Sequence, residues 1–392
     1  MISRFFAVLA VALTTVVCTA RADVVKVGVI APMSGTFALT GQTWEGAIKA
    51  YQKLHGTTVG GHTIEVIYRD MPEINPAQAR ALAQELVIKE GVQYLAGVYF
   101  TPDALAVGAL AQEAKVPVVI FNASTSSILD KSEYLLRTSY TLPQVGVPVA
   151  KYALEKNVKR VVTLVSDFGP GLDAETAFTA AFVAGGGKLV ENIRAPLKTT
   201  DFGPLMQKVK SLKPDAIYVF APGGPLTYAL IKAYNEAGLK AAGIRFLGTA
   251  ETDEDQLQAI GPEVLGFETG MYYSASHNSP LNNVVIKTLR EVAPKAVPTV
   301  QLVNAFDGMH VIYHMVEATN GQRNGPKAIA SAKGFSWESP RGPLKIDANS
   351  RELVQNVYIR MVEKDPAGHY VNREIRTFEM QPDYGRTQSA NK

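Results

Sequence analysis

Strand and helix patterns alternate twice along this chain of 392 residues, and no other feature constrains its fold as strongly. In the first series, short β-branched segments are each followed by a segment with helical periodicity. Strands are predicted at Val24–Ile30, Thr63–Tyr68, Tyr94–Val98 and Val116–Phe121, and helices at Gly41–His55, Pro76–Lys89 and Asp103–Lys115. Alternation with short connections is typical of a parallel sheet that is covered by helices on both faces.

A second series of similar length repeats this alternation. Its strands are predicted at Arg160–Ser166, Lys188–Ile193, Asp215–Phe220 and Arg245–Gly248, and its helices at Leu172–Ala184, Phe202–Leu212, Leu226–Ala237 and Asp253–Ile260. Two further helices, Leu281–Val292 and Val300–Thr319, indicate that the chain then crosses back to the first unit. The predicted fold class is therefore α/β, with two doubly wound parallel-sheet lobes.

The first 22 residues have the pattern of a secretory signal peptide. Arg4 precedes the apolar run Phe5–Val17, and the segment closes on Ala20-Arg21-Ala22, a small-x-small cleavage pattern. The apolar run is shorter than the roughly 20 residues that a membrane-spanning helix needs. We expect cleavage before Asp23 and export of the remaining chain. A lipoprotein anchored at Cys18 is the alternative, although bulky valines precede that cysteine.

Charge and cysteine content exclude several classes of function. Lys and Arg total 39 against 36 Asp and Glu, a net charge of +3, so no basic surplus indicates a nucleic acid or an anionic membrane as partner. Because Cys18 is the single cysteine, an internal disulfide, a cysteine zinc site and an iron–sulfur cluster are ruled out. His310 and His314 are four residues apart, but no acidic residue follows at metal-site spacing; we expect helix packing and no metal.

Loops that follow the predicted strands are the candidate ligand contacts, because parallel sheets bind ligands beyond the carboxyl ends of their strands. Phe37 lies in the loop after the first strand. Phe100 and Thr101 lie after the third strand, and the hydroxyl-rich run 122–127 follows the fourth. Hydroxyls and unpaired backbone N–H groups in these loops suit a carboxylate. Ordinary capping and turn chemistry remains the alternative.

One motif is consistent with a dinucleotide site. Gly169–Ala174 matches G-x-G-x-x-A between a strand and a helix, and Glu191 lies 22 residues beyond the first glycine. Pro170 removes a backbone donor, however, and Asp167-Phe168 lengthens the turn before the glycines. A Gly/Pro-rich turn that exposes Phe168 is the favoured interpretation, with an exported NAD-dependent enzyme as the alternative.

Several segments resemble the leucine/isoleucine/valine-binding family of periplasmic binding proteins, the receptors of ABC importers. The opening Val25–Gly35, followed by Gly41-Gln42 and a helix, carries the first similarity. It continues through Pro117–Ile120, Arg137-Thr138, Ser166–Gly169, Asp201-Phe202, Leu212–Asp215 and Ala237–Lys240. The resemblance implies a type I periplasmic binding protein, in which three crossovers join two lobes that close on a small solute like a hinge.

The resemblance also implies where a ligand is held. The family's carboxylate-binding loops correspond to Phe100-Thr101 and Ala123-Ser124-Thr125. Its second-lobe aromatic contact corresponds to Phe168, and a later loop corresponds to Ala221-Pro222. The acidic residue that receives an amino acid's ammonium group falls on Ala250 without a gap, or on Glu251 after a slip of one residue.

Two ligand classes stay open on this evidence. Phe37, Phe100 and Phe168 would form aromatic walls that suit a flat aromatic acid, whereas closure around an aliphatic amino acid is the alternative. The resemblance implies a monomeric periplasmic receptor that delivers a small carboxylate to ABC permease subunits, with no cofactor and no enzymatic activity. A sensory ligand-binding protein of the same fold is the second possibility.

The repeated pattern and the resemblance together give a division into domains. We predict a signal peptide at 1–22 and an N-terminal lobe formed by 23–141 and 276–348. The C-terminal lobe is predicted from 142–275 and 349–381. Residues 382–392 are polar and lack periodicity, so a disordered tail is expected there.

Overall fold

A six-stranded sheet forms the centre of the first lobe in this computed structural model, which describes residues 23–389. Its strands are β1 (Val24–Ala31), β2 (Thr58–Val59), β3 (His62–Asp70), β4 (Tyr94–Gly97), β5 (Val118–Ile120) and β6 (Leu135–Arg137). They are ordered β2-β3-β1-β4-β5-β6, and every neighbouring pair is parallel except the β2–β3 hairpin. The four strands predicted in this half of the chain are all present.

Helices α1 (Ala38–His55), α2 (Pro76–Glu85) and α3 (Thr101–Ala114) connect these strands. Strand β1 is a near-continuous apolar run because it pairs with β3 and β4 and is covered on both faces; Val27 and Val29 are fully buried. In α1, Trp44, Ala47 and Ile48 recur at helical spacing on the buried face. The two periodicities read from the sequence therefore correspond to a central sheet and its covering helices.

The second lobe contains a nine-stranded sheet. Its strands are β7 (Arg160–Ser166), β8 (Lys188–Ala195), β9 (Ala216–Phe220), β10 (Arg245–Gly248), β11 (Glu268–Met271), β12 (Ser336–Ser339), β13 (Gly342–Ile346), β14 (Leu353–Lys364) and β15 (Tyr370–Gln381). The order is β12-β13-β14-β11-β10-β9-β7-β8, with β15 paired to β14. Strands β11, β10, β9, β7 and β8 pair in parallel with their neighbours. The pairs β11–β14, β13–β14, β12–β13 and β14–β15 are antiparallel.

Nine further helices complete the described part of the chain. They are α4 (Leu142–Glu155), α5 (Gly169–Ala184), α6 (Gly203–Leu212), α7 (Gly224–Glu236), α8 (Glu254–Ile260), α9 (Pro280–Val292), α10 (Val300–Thr319), α11 (Gly325–Ala332) and α12 (Tyr384–Ser389). The predicted return to the first lobe is confirmed, because Val285 and Leu289 of α9 and Met309 of α10 are buried in the same core as β1. The chain thus forms a two-lobed α/β fold.

The segment from β12 to β13 belongs partly to each lobe. β12 hydrogen-bonds to β13, and β13 hydrogen-bonds to β14 in the larger sheet, whereas Leu344 and Ile346 pack into the first-lobe core. The sequence-based division placed residues 276–348 wholly in the N-terminal lobe. Because backbone pairing and side-chain packing differ here, the exact lobe boundaries stay a prediction.

The C-terminal segment differs from the predicted disordered tail. Asp383 is buried, and its Oδ1 atom accepts hydrogen bonds from Ser126 Oγ at 2.8 Å and Thr141 Oγ1 at 2.7 Å. Helix α12 follows, and Arg386 forms an ion pair with Asp130 at 2.5 Å. This tail is held by hydrogen bonds and an ion pair to other segments. Such polar contacts produce no hydrophobic periodicity in the local sequence, so the pattern did not predict order here.

None of the helices within residues 23–389 is both long enough and apolar enough to cross a membrane. The predicted signal peptide, Met1–Ala22, and the last three residues of the predicted tail lie outside the described residues.

Candidate functional site

A cavity of about 800 Å³ lies between the two lobes, at the carboxyl ends of the parallel strands. Loops after β1, β4 and β5 line it from the first lobe, and loops after β7, β9 and β10 line it from the second. This volume falls within the roughly 300–1,000 Å³ of small-molecule sites. Of the sequence-predicted site residues, the structure brings together Phe37, Phe100, Thr101, Ala123, Ser124, Phe168, Ala221 and Pro222.

The start of α3 forms one polar part of the first-lobe wall. Thr101 begins this helix and Pro102 fits its first turn, where the missing N–H of proline does no harm. The Thr101 hydroxyl donates to Thr125 Oγ1 at 3.3 Å. Backbone N–H groups at a helix N-terminus carry partial positive charge, so this wall favours a negatively charged ligand group.

The loop after β5 forms the neighbouring part of the wall, and buried contacts hold it rigidly. Arg137 donates to the Thr125 carbonyl at 2.8 Å and to the Tyr140 carbonyl at 3.0 Å. The Leu142 N–H donates to the Ser124 carbonyl at 3.1 Å. Ser124 and Tyr140 both line the cavity. With its carbonyls engaged, the loop is fixed in one orientation toward the cavity.

The start of α5 brings the second lobe to the same place. Phe168 precedes the helix and stacks on Phe220 with 6.1 Å between ring centroids. A Cβ atom placed on Gly169 would lie 3.2 Å from Thr125 Oγ1, so the N-terminal ends of α3 and α5 approach each other across the cleft. Two helix N-termini therefore point at one cavity from opposite lobes.

Aromatic rings form much of the first-lobe surface of the cavity. The Phe37 ring lies 5.1 Å from that of Tyr99 and 5.3 Å from that of Phe100, and Tyr99 meets Phe100 edge to face at 4.8 Å. These separations are those of favourable ring pairs. Phe168 and Phe220 face them from the second lobe. A planar ring can therefore be enclosed between aromatic surfaces of both lobes.

Two predicted residues, Thr125 and Glu251, do not line the cavity. Thr125 accepts the hydrogen bond from Thr101, and its Oγ1 atom lies close to Gly169 of the second lobe. Glu251 is fully buried: its carboxylate accepts hydrogen bonds from the backbone N–H of Ala221 at 2.9 Å and of Thr249 at 2.5 Å. Burial raises the pKa of Glu251 to about 7. The slip of one residue that placed Glu251 in the site is wrong, because Ala250 occupies the cavity-facing position.

A chain of side-chain hydrogen bonds connects the cavity wall to the first-lobe core. Trp44 Nε1 donates to Gln301 Oε1 at 2.9 Å, Gln301 Nε2 donates to Asn122 Oδ1 at 2.8 Å, and Asn122 Nδ2 donates to the Tyr99 carbonyl at 2.9 Å. Gln301, Asn122 and Tyr99 line the cavity, and Trp44 is buried behind them. The Tyr99 backbone is thus held by Asn122, which is itself held by Gln301 and, through Gln301, by Trp44.

Comparison with known proteins identifies the family. Residues 24–367 match the periplasmic binding protein family. The chain belongs to this family. It is 50% identical to the Leu/Ile/Val-binding protein homolog 6 of Brucella abortus (strain 2308), over 93% of this chain and 94% of that relative. The resemblance read from the sequence is confirmed.

Solved structures of other periplasmic binding proteins are closely similar. A solute-binding protein of an ABC transporter from Rhodopseudomonas palustris HaA2, in complex with p-hydroxybenzoic acid, has a TM-score of 0.91 and 50% identity. The alignment covers 93% of this chain and 100% of that one. A second, from Rhodopseudomonas palustris BisB5 in complex with 3,4-dihydroxybenzoic acid, has a TM-score of 0.87 and 41% identity over 93% and 99% of the two chains.

In this periplasmic binding protein, the glycines of the dinucleotide-like motif serve packing. A Cβ on Gly171 would lie 1.9 Å from the Ser166 carbonyl oxygen, so only glycine lets α5 start this close to β7. Glu191, the acid that a dinucleotide would require, forms an ion pair with Lys208. The favoured interpretation of the motif, a turn that presents Phe168, agrees with these contacts.

His310 and His314 lie on α10 and pack against aromatic side chains. The His314 ring stacks on Phe335 with 3.8 Å between centroids, and His310 Nδ1 is 3.1 Å from the Tyr51 hydroxyl. Burial lowers the pKa of His310. Both histidines are absent from the cavity lining, and helix packing is the role that the sequence predicted.

Sequence reasoning missed several lining residues. These are Tyr99, Tyr140, Phe220, Asp253 and Asp255 among others. Tyr99 and Phe220 were identifiable, because each stands at the carboxyl end of a predicted strand. Asp253 and Asp255 belong to an acidic turn at the start of α8, where acidic side chains ordinarily complement a helix N-terminus. Tyr140 follows β6, a strand of three residues that the sequence analysis did not identify.

Proposed function

We propose that this protein is the substrate-binding component of an ABC importer and that it captures an aromatic carboxylate of the benzoate class. It acts as a monomer in the periplasm after its signal peptide is cleaved, and it delivers the ligand to membrane permease subunits. The lobes close around the ligand, whose carboxylate is held by the first lobe and whose ring lies between aromatic side chains of both lobes.

The observation that carries this proposal is the aromatic enclosure of the cavity. Phe37, Tyr99 and Phe100 face Phe168 and Phe220 across the cleft. Each offset or edge-to-face ring pair contributes about 0.5–1.5 kcal/mol beyond the burial of apolar area. Several such contacts together favour a planar ring over a branched aliphatic side chain of similar size.

Ala250 supports the choice of ligand class. An amino acid brings an ammonium group, and burying that charge without a partner costs several kcal/mol. The position expected to supply an acid holds Ala250, and the neighbouring Glu251 carboxylate is engaged by two backbone N–H groups. A carboxylic acid without an ammonium group avoids this cost.

The polar groups that line the cavity, and the ligands bound by two similar proteins, support an aromatic carboxylate as the ligand. Thr101, Ser124 and the N-terminal ends of α3 and α5 offer hydroxyls and partial positive charge to a carboxylate. The two similar solute-binding proteins described above were solved with p-hydroxybenzoic acid and 3,4-dihydroxybenzoic acid. Both ligands combine a carboxylate with a planar ring.

Isothermal titration calorimetry with benzoate, 4-hydroxybenzoate, leucine and phenylalanine tests the proposal. We expect the benzoates to bind and the two amino acids to bind at least about tenfold more weakly, since Ala250 stands where an acid would be expected to pair with their ammonium group. Cyclohexanecarboxylate is the matched control for the ring, because it keeps the carboxylate and the size while losing the flat aromatic face. Preferential binding of leucine would refute the proposed ligand class.

A further inference from the structure

The end of the chain extends from the second lobe onto the first. Residues 383–386 follow β15 of the second-lobe sheet and include the start of α12. Helix α12 lies against α4 and α5, which belong to the second lobe, and against the 3-10 helix Ser126–Lys131. That short helix belongs to the first lobe, because Leu129 is buried in the same core as β1. The terminal segment therefore contacts both lobes.

Polar bonds and close packing attach this segment to the first lobe. Asp383 Oδ1 accepts a hydrogen bond from Ser126 Oγ at 2.8 Å. Arg386 Nη2 donates to Asp130 Oδ1 at 2.5 Å. The backbone approaches Ser126 closely at Gly385, where an added Cβ atom would lie 2.7 Å from Ser126 Cβ. A larger residue at position 385 would displace Ser126, so glycine permits this close contact.

Helix α4 anchors the same segment in the second lobe. Thr141, the N-cap residue of α4, donates a hydrogen bond to the same Asp383 oxygen at 2.7 Å. Lys151 Nζ of α4 lies over the Tyr384 ring, 5.4 Å from the ring centroid, at the distance of a cation–π contact. One carboxylate oxygen of Asp383 therefore connects α4 to the first lobe.

Burial makes the hydrogen bonds of Asp383 the strongest of these contacts. Asp383 is only 6% exposed, and hydrogen bonds to a carboxylate are stronger in a buried site than in water. The Arg386 and Asp130 side chains are 22% and 64% exposed, so water screens their ion pair. If Ser126 and Thr141 moved apart, the buried carboxylate would lose a hydrogen-bond donor, which is costly. The segment therefore opposes separation of the lobes.

We propose that residues 383–386 form an interlobe strap that stabilises the closed arrangement of the two lobes and restrains their opening. A hinge movement separates the surfaces of two lobes, and a segment that is bonded to both must release one of them. The balance between open and closed forms is then set in part by the end of the chain, with or without a ligand. This inference concerns the motion of the lobes, so it holds whichever ligand the cavity binds.

Distances between spin labels on the two lobes measure the opening. Suitable label sites are Glu73→Cys and Glu236→Cys, which replace exposed side chains. Glu73 is next to Ile74, and Glu236 is one helical turn from Lys232; these two neighbours line the cavity from opposite lobes. Cys18 is the single cysteine and lies in the predicted signal peptide, so the exported chain carries no competing thiol. Double electron–electron resonance on the ligand-free protein then gives the populations of short and long distances.

Variants of the strap should shift these populations toward the longer distance. Asp383→Ala removes the oxygen shared by the two lobes and should raise the long-to-short ratio at least about threefold, whereas Arg386→Ala should raise it about twofold. Arg80→Ala breaks an ion pair with Glu113 inside the first lobe and should leave the ratio unchanged. Arg386→Ala decides if Asp383→Ala does not fold. An unchanged ratio in the folded strap variants would overturn the inference.

Discussion

Ser124 and Thr101 are hydroxyl residues of the first lobe that line the cavity near the N-terminus of α3. A hydrogen bond from a hydroxyl to a charged carboxylate stabilises a complex by about 1.5–3 kcal/mol. Ser124→Ala should therefore weaken the binding of 4-hydroxybenzoate by about 1–3 kcal/mol in a calorimetric titration. Ser211→Ala, which removes an exposed hydroxyl outside the cavity, is the control. Unchanged affinity in Ser124→Ala would contradict its place in the carboxylate wall.

Phe168 is half-buried and stacks on Phe220, so its ring is available to a ligand. Phe168→Ala should weaken binding of 4-hydroxybenzoate by about 1–3 kcal/mol while the melting temperature without ligand stays nearly constant. Thermal melts with and without ligand measure the two effects separately. A loss of about 3–5 kcal/mol in the stability of the ligand-free protein would show that the ring is part of the core instead.

Glu251 contributes a pH dependence to stability whose sign follows from its burial. Its pKa is raised from 4.5 to about 7, so the folded state binds the proton more tightly than the unfolded state does. The stabilisation is complete below pH 4.5 and is lost as the pH rises toward 7. Glu251→Gln cannot titrate. The free energy of unfolding of the wild type, relative to the variant, should fall by up to about 3 kcal/mol over this range.

Chemical denaturation of both proteins at pH 4.5, 6 and 8 provides that measurement. The comparison uses the change with pH, because the amide introduced by Glu251→Gln alters hydrogen bonds to Ala221 and Thr249 equally at every pH. Parallel stability curves for the two proteins would show that Glu251 does not titrate in this range.

At the scale of elements, central strands were predictable and the antiparallel edge was not. β1 and β9 are apolar on both faces, since helices cover both sides of a parallel sheet. β14 places polar side chains in buried positions: Arg360 is fully buried and donates to the Tyr273 carbonyl at 2.7 Å. A charge that is satisfied by distant backbone groups interrupts the hydrophobic pattern from which strands are recognised.

The same distinction explains which site elements were predictable. Loops that follow parallel strands, such as those with Thr101 and Ser124, converge by a rule of topology. Whether Ala250 or Glu251 faces the cavity depends on how one turn is folded, and spacing alone does not determine that. Asp253 was missed for the same reason, because its cavity position depends on the packing of the second lobe.

At the scale of the whole molecule, Ser126 is held by two acids of the second lobe. Its N–H donates to Asp173 Oδ2 at 3.1 Å, and its hydroxyl donates to Asp383 Oδ1 at 2.8 Å. Ser126 directly follows the ligand-facing loop of the first lobe, whereas Asp173 lies on α5 and Asp383 follows β15. These bonds join the lobes beside the cavity and favour the arrangement in which the walls meet.

Ser126→Ala removes one of these bonds without touching the cavity lining. The closed arrangement should lose about 1 kcal/mol, which weakens 4-hydroxybenzoate binding roughly fivefold. Small-angle X-ray scattering of the ligand-free variant should give a larger radius of gyration than the wild type. Identical scattering and identical affinity would show that these bonds do not affect closure.

The hydrogen-bond chain from Trp44 to Asn122 also has an optical consequence. The sequence contains two tryptophans, and Trp44 lies 6.1 Å from Tyr99 and bonds to Gln301, both of which line the cavity. Trp337 instead bonds to Asp307 and is absent from the lining. Ligand entry therefore perturbs one indole and spares the other. The protein contains its own fluorescent reporter, and stopped-flow emission can follow ligand capture and release without a dye.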